Sequence, residues 1–297
     1  MNNLAKFKAQ YQQGEKNFAN INLRQADLRG INLSHINLQG SDLSQANLTE
    51  VCLDEANLDN ANLTEAVLDQ ASLIKTSLNK ANLTKASLIK TKLVRASLNE
   101  ANLSEANLNS AFLTISYLNK AILTGASLNQ ASINGALMNE ADLTNANLAG
   151  ANVRNTKFDS AYYNINTLFD DNFDPIKVGM QKILLEEEIT TNLLIEVFNS
   201  LCQLSQHYLG SQITTKYWQS SRPESDWLNG FQINNLGKVI FLGGENQSVS
   251  QENLKYYKQW LDSFIKSCSQ VIQDFSKIIK EKEIINLELE QILKKNT

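Results

Sequence analysis

Proline is nearly missing from this chain: two residues in 297, Pro175 and Pro223, both in the second half. Glycine is scarce as well, at 12 residues. Together these shortages exclude a collagen-like chain and a Pro/Gly-rich disordered one, both of which need far more. Cysteine numbers three, Cys52, Cys202 and Cys268, an odd and widely spaced set that reads as reduced thiols rather than a disulfide framework. No apolar run approaches the roughly 18 residues of a membrane helix, and the polar opening stretch MNNLAKFKAQ lacks a signal-peptide core. The expected compartment is therefore the cytoplasm. Charge of one sign is also lacking, since 27 basic against 31 acidic residues leave −4, too little to advertise nucleic acid or an anionic membrane. The length allows about two domains.

What is abundant is asparagine, with 37 residues, and much of it is periodic. From Phe18 every fifth residue is apolar: leucine from Leu23 through Leu128 without a miss, then Ile133, Met138, Leu143, Leu148, Val153 and Phe158. That makes 29 centres at intervals of five from 18 to 158. Two positions before each centre the residue is alanine in 19 of the 29 and otherwise mostly Ile, Thr, Ser or Val. Five residues turn an α-helix by about 500°, so these leucines would form no stripe on a helix. A flat strand fails too, because an odd spacing throws alternate leucines to opposite faces. A chain that keeps both leucine and alanine inside must bend once per repeat, and Asn or Asp, which bond locally to backbone, suit the corners. Both prolines fall outside the repeat, as they must where nearly every N–H pairs with a neighbouring coil.

The motif A-N/D/S-L-T/S/N-x, repeated over 18–158, resembles the pentapeptide repeat family. The flanks Tyr11-Gln-Gln-Gly-Glu-Lys-Asn-Phe18 and Tyr163-Asn-Ile-Asn-Thr-Leu-Phe169 are similar to those of its cyanobacterial members. The resemblance implies a right-handed quadrilateral β-helix with four repeats per coil. At about 4.8 Å per stacked coil that is a rod of about seven coils and roughly 35 Å. Open ends of such a rod expose strand edges, so caps are expected. The segment 1–17, with Leu4, Phe7 and Tyr11, reads as the N-terminal cap of a β-helix at 18–163. A linker at 164–175 and a helical or α+β domain at 176–297 follow.

With a generic core, information about function must lie on the outward positions. The residue two after the centre is basic in five consecutive repeats, Lys75, Lys80, Lys85, Lys90 and Arg95, a girdle fit for an anion or a docking partner. The plainer account is a ladder, because residues 20 apart stack vertically in a four-repeat coil. Six pairs in this column are of opposite sign: Glu55–Lys75, Glu65–Lys85, Lys85–Glu105, Lys80–Glu100, Glu100–Lys120 and Lys120–Glu140. Such pairs contribute a few tenths of a kcal/mol each. An apolar group is the stronger interaction candidate: Phe112, Tyr117, Ile122 and Leu137 stand where Asn, Asp or Ser is usual, with Ile115 among them. Contiguous exposed apolar surface marks an interface, or a patch covered by another part of the same chain.

Past Phe158 the period stops, and all three tryptophans, Trp218, Trp227 and Trp260, are found here. Asp174-Pro175 reads as the start of a helix running to about Leu209, with a break at Thr190-Thr191. Phe231-Gln-Ile and Val239-Ile-Phe-Leu read as a β-hairpin. From Leu254 interlocking seven-residue series predict one helix of about 40 residues, opened by a capping box at Ser248 and Gln251. Its end narrows to a coiled-coil seam, Ile285, Leu289 and Ile292, with a homodimer or a partner helix as the expected occupant.

No catalytic, cofactor-binding or metal-binding residues are assigned. Cys202 and His207 are five apart on an expected helix, which does not align two ligands. Gly243-Gly244 lacks the Lys-Ser/Thr of a phosphate loop. Glu186, Glu187 and Glu188 splay over different helix faces, and Arg222 between Trp218 and Trp227 reads as loop packing. The expected function is a non-enzymatic protein–protein interaction scaffold or regulator with a protein partner. The resemblance implies one alternative, since some family members act as DNA mimics toward topoisomerases. Mimicry needs a strongly negative surface, whereas 18–160 holds 11 basic and 13 acidic residues. The other alternative is an enzyme whose constellation lies within 200–250.

Overall fold

The computed structural model describes residues 3–185, 188–234, 238–244 and 246–281. The chain divides into two compact units, Met1–Ile183 and Leu184–Thr297.

The first unit is a β-helical solenoid. The residue before each centre forms a parallel bridge with its counterpart 20 positions on, from Asn17↔Asn37 through Asp142↔Tyr162, so four repeats make one coil. One repeat shows how the backbone is satisfied. Leu43 N–H donates to Asn62 O at 2.7 Å, and Asn62 N–H returns a bond to Ser41 O at 2.9 Å. Gln45 N–H reaches Thr64 O at 2.8 Å, and Ala46 N–H closes the corner onto Leu43 O at 3.0 Å. Four of the five N–H groups in a repeat are thus paired within the backbone, which leaves proline almost no place. The fifth, just after the centre, is taken by a side chain in most repeats. Where Asn or Asp precedes the centre, its oxygen accepts that N–H two residues on, as Asn62 Oδ1 does from Thr64 at 3.1 Å.

Serine at that position makes a different arrangement. Ser77 hydroxyl donates to Asp59 of the preceding coil at 2.6 Å, and the same carboxylate oxygen accepts Asn79 N–H at 2.8 Å. The corners therefore have two interchangeable solutions, one local and one between coils. Leucine centres and alanines are almost completely buried, Leu83 and Leu103 at 0% exposure among them. At about 1.5–3 kcal/mol for each buried leucine, this core is ample before chain entropy is counted.

Helix α1 (Asn3–Gln12) lies at the first end of the solenoid. Its Phe7 is buried edge-on to Phe18 with ring centroids 4.7 Å apart, and Tyr11 hydroxyl donates to Asn32 O at 2.7 Å. At the other end Phe169 stacks on Phe173, which meets Phe158 edge-on, and strand β1 (Tyr162–Tyr163) pairs in parallel with β2 (Gln181–Lys182). Coil pairing runs through Leu168 and on to Ile183, past the expected linker at 164–175. The helix expected from Pro175 is absent. Asp174 does cap one turn, accepting from Ile176 and Lys177 N–H groups, but Gly179 at φ +82° ends it. The chain then turns Met180 into the coil's core.

In the second unit α2 (Thr191–Ser220) starts at Thr190, the N-cap, and is kinked at Gly210, where φ is 76°. A 3₁₀ turn (Leu228–Gly230) leads to the antiparallel hairpin of β3 (Phe231–Ile233) and β4 (Val239–Phe241). Helix α3 (Gln251–Ser269) is capped by Ser250, whose hydroxyl accepts Asn253 N–H, rather than by Ser248, which bridges Thr190. The single 40-residue helix is also corrected: α4 (Phe275–Glu281) is separate. Asp274, at φ +57°, breaks the helix, and the break lets Ile272 and Phe275 both enter the core. Val271, seven after Phe264 and expected inside, is 61% exposed in consequence. The predicted seam, Ile285, Leu289 and Ile292, lies outside the described residues.

Candidate interaction surfaces

The residue two after each centre is left-handed in all 29 repeats, with φ between 57° and 70°. In 24 of them it is not glycine. Nothing in the residue types signals this, since Lys, Glu and Gln fill the column as often as Asn. The conformation is imposed by the corner, and it turns these side chains outward as vertical columns.

Along those columns the ladder forms in part. Lys75 meets Glu55 at 2.9 Å, Lys80 meets Glu100 at 3.5 Å, Lys85 meets Glu105 at 3.6 Å and Lys120 meets Glu140 at 3.6 Å. His35 adds a contact to Glu55 at 3.5 Å. The pair Glu65–Lys85 is not made, because Lys85 turns to Glu105 and Glu65 accepts from the Gln45 amide at 2.8 Å. Glu100–Lys120 is likewise displaced by the pairs with Lys80 and Glu140. The bond from Lys75 holds the Glu55 carboxyl below its usual range. Lys90 and Arg95 enter no ion pair among the described residues. The five cations of the girdle are thus three paired and two unpaired.

The apolar group is spread over three successive sides of the coil, with Phe112 and Ile122 on the sides flanking that of Tyr117. Phe112, Ile115 and Tyr117 are exposed at 45%, 45% and 41%, and Ile122 at 41%. Phe112, Tyr117 and Ile122 stand in three successive bridge columns, and Ile115 occupies the corner between the first two. Leu137 is the bridge partner of Tyr117 one coil on and is half-buried. Ile115 is unusual on a second count: it is the one β-branched residue in the left-handed column, a conformation that crowds a branched side chain. Its Cγ1 lies over Gly135, where an added Cβ would stand 3.5 Å away.

Sequence reasoning missed an asparagine ladder beside this belt. Asn99 and Asn119 each place an amide on the Oδ1 of the asparagine one coil back, at 3.2 and 3.1 Å. The series runs from Asp59 through Asn79, Asn99, Asn119 and Asn139 to Asp159. The signal was present as asparagine recurring every 20 residues.

In the second unit Arg222 and Cys202 are held by packing. Arg222 lies 5.7 Å from the Trp218 ring and 5.6 Å from that of Trp260, not over Trp227, and donates to Phe231 O at 3.2 Å. Burial, with the Cys268 thiol as a lesser cause, pushes the Cys202 thiol up to about 12. All three cysteines are free. No three His, Cys, Asp or Glu residues among those described are grouped to hold a metal, and no described helix is long and apolar enough to cross a membrane. A cavity of about 180 Å³ between Leu148, Val153, Phe169 and Phe173 has Asp170 at its edge, its carboxylate accepting Gly150 N–H at 2.7 Å.

The model of the family described as pentapeptide repeats matches in eight copies, over residues 17–54, 52–88, 81–119 and 121–159. No curated protein matches. Among solved structures the chain is similar to HetL, a pentapeptide repeat protein involved in heterocyst differentiation regulation from the cyanobacterium Nostoc sp. strain PCC 7120. Identity is 26% over 63% of this chain and 96% of that one, with a TM-score of 0.31. Full-length QnrB1, a plasmid-mediated fluoroquinolone resistance protein, is 19% identical over 56% and 81%, with a TM-score of 0.36. Rfr23, a pentapeptide repeat protein from the cyanobacterium Cyanothece 51142, is 22% identical over 56% and 99%, with a TM-score of 0.15. These superpositions are too loose to bear on function.

Proposed function

Residues 17–159 of this chain belong to the pentapeptide repeat family, and on that premise we propose a non-enzymatic scaffold or regulator acting in the cytoplasm. In this reading a right-handed, four-sided β-helix holds a protein-binding surface in fixed geometry. The observation that carries it is the belt of Phe112, Ile115, Tyr117 and Ile122. The core needs none of these side chains, because the repeat satisfies itself with Asn, Asp or Ser at the same positions. Phe112, Ile115 and Tyr117 lie on two adjoining sides and the corner between them, with Leu137 stacked on Tyr117, and exposed apolar surface of this kind marks a binding site. A DNA-mimic role gains no support, since four glutamates of the coil pair with lysines and the negative field is broken.

The test replaces Phe112, Tyr117 and Leu137 by Asn, Ser and Ser, which restores the ordinary repeat. The melting temperature of the coil should hold while capture of protein partners from the source cell is lost. A variant that captures the same proteins as the parent chain would refute the reading.

A further inference from the structure

Unpaired cations border the belt on the coil before it, whereas on the coil after it Ile122 has Asp142 as its bridge partner. Lys92 is the bridge partner of Phe112, so the two side chains stand in adjacent coils on one face, about 4.8 Å apart in the backbone. Arg95 N–H donates to Thr114 O at 3.1 Å, which puts Arg95 directly beside Ile115. Lys90 N–H donates to Asn109 O at 3.0 Å, next to Ser110 at the belt's edge. All three cations are exposed.

Other lysines in the left-handed column, Lys75, Lys80, Lys85 and Lys120, each face a glutamate one coil away. Lys90 has Gln70 and Ser110 at those places, and Arg95 has Lys75 and Ile115. Lys92, in its own column, has Ser72 and Phe112. Among the described residues none of the three makes an ion pair. Three unpaired cations thus stand together on the coil that precedes Phe112, Ile115 and Tyr117.

We propose that Phe112, Ile115 and Tyr117, with Lys90, Lys92 and Arg95 beside them, bind an acidic amphipathic peptide segment of a partner protein. This rests on the scaffold reading above and adds the chemistry of the partner. Apolar side chains of the segment cover the belt, and its carboxylates meet the three free cations, which fixes the direction in which it lies. A single-stranded nucleic acid would also use cations and aromatic rings. Ile115 and Ile122 interrupt the rings with side chains that offer no stacking face, and a coil of net −2 makes a poor backbone track.

The experiment pans a phage-displayed library of random 16-residue peptides on the full chain, with the F112N/I115N/Y117S variant for counter-selection. Enriched peptides should combine aromatic or aliphatic residues with a clear excess of Glu and Asp. Their affinity should fall about tenfold or more for K90E/K92E/R95E. Glutamate already occupies the left-handed column at Glu50, Glu65 and Glu100, so the two column changes fit the corner. Panning on the charge-reversed chain should enrich basic apolar peptides, an outcome that a misfolded variant does not produce. Belt-dependent peptides of neutral or basic charge, or acidic ones that ignore the reversal, would overturn the acidic partner and leave the scaffold reading standing. Absence of any belt-dependent peptide would overturn both. Binding of a 16-nucleotide oligo-dT that is lost on charge reversal, with no acidic peptide enriched, would assign the surface to nucleic acid instead.

Discussion

The two units of this chain build their interiors from opposite materials. In Met1–Ile183 the core is leucine and alanine repeated coil after coil, with aromatic rings gathered at the ends, Phe7 and Phe18 at one and Phe158 and Phe173 at the other. In Leu184–Thr297 it is a non-repeating aromatic cluster in which the Phe198 ring lies 4.8 Å from Tyr257 and 4.6 Å from Trp260. Their polar economies differ in the same way. The coil pairs backbone with backbone from one turn to the next. The second unit relies on individual side chains: Tyr257 hydroxyl donates to Leu194 O and Trp260 Nε1 to Trp218 O, both at 2.8 Å. Asn199 meets both the N–H and the carbonyl of Val239. A repeating interior leaves the exterior free to vary, which is why the candidate surfaces lie on the coil. A non-repeating interior uses its polar and aromatic residues to define one fold.

The comparison is broken most severely by a charge in the repeating core. Leu83 and Leu103 sit at 0% exposure in mid-coil, supported only by the turns on either side. Replacing either by lysine should cost more than the ~2–5 kcal/mol of a leucine-to-alanine cavity, because a buried ammonium has no partner there. All three tryptophans lie in the second unit, so their fluorescence reports that unit alone. The expected result is early loss of the coil's circular dichroism with the tryptophan transition little changed. If the variants melt like the parent chain, the leucine column is not the core.

Alkaline pH should separate the units in the other direction. Burial raises the Cys202 thiol to about 12 and the Tyr257 hydroxyl well above its usual 10. The folded unit keeps protons that the unfolded chain releases from about pH 9, so stability is complete below pH 9 and is lost as pH rises toward 12. At about 1.4 kcal/mol per pH unit for a fully shifted group, the loss reaches a few kcal/mol. The coil's shifted carboxyls work at the acid end. Asp27, held near 2 by its bonds to Arg29, supports the fold above the usual carboxylate value and loses that support as pH falls through 2. It is fully exposed, so the effect is slight. Tryptophan emission should shift between pH 9 and 12 while coil dichroism persists, and Cys202→Ala should lessen the dependence. Coincident alkaline transitions, unaltered in that variant, would contradict the assignment.

What was legible in the sequence follows the same division. The period of five names the buried leucines, the small residue beside them and the asparagines at the corners, because each requirement recurs 29 times. The left-handed column escaped notice because closure of the corner demands it whatever residue stands there, so Lys75 and Glu65 share one backbone geometry. The ladder was half legible: spacing identifies which charges stack, but Lys85 and Lys120 each stand between two glutamates and take one. In the second unit the hairpin at Phe231–Ile233 and Val239–Phe241 was readable from its turn and its β-formers. Heptad arithmetic failed at Asp274, since a stripe as wide as Phe264, Ile265, Val271 and Ile272 fits a broken helix as well as a continuous one. The Asp174-Pro175 signal was local and true to one turn. Gly179 and the pull of Met180 into the coil decided the rest.

The smallest expected effect bears on the belt. Ile115 is branched at Cβ and held at φ +58°, whereas Asn20, Asn60, Asn145 and Asn155 occupy the same column position. Left-handed backbone costs an ordinary L-residue about 1–2 kcal/mol, and Asn bears it best because its short amide bonds locally. Exposed at 45%, Ile115 recovers only part of that through its contact with Gly135. Ile115→Asn should therefore stabilise the coil, by about 0.5–1 kcal/mol, while weakening any partner that rests on the belt. Thermal melting followed by circular dichroism checks the first half, and peptide binding the second. A variant that melts lower than the parent chain would mean that the Ile115 side chain serves the coil itself, and the belt would lose its central residue as a binding group.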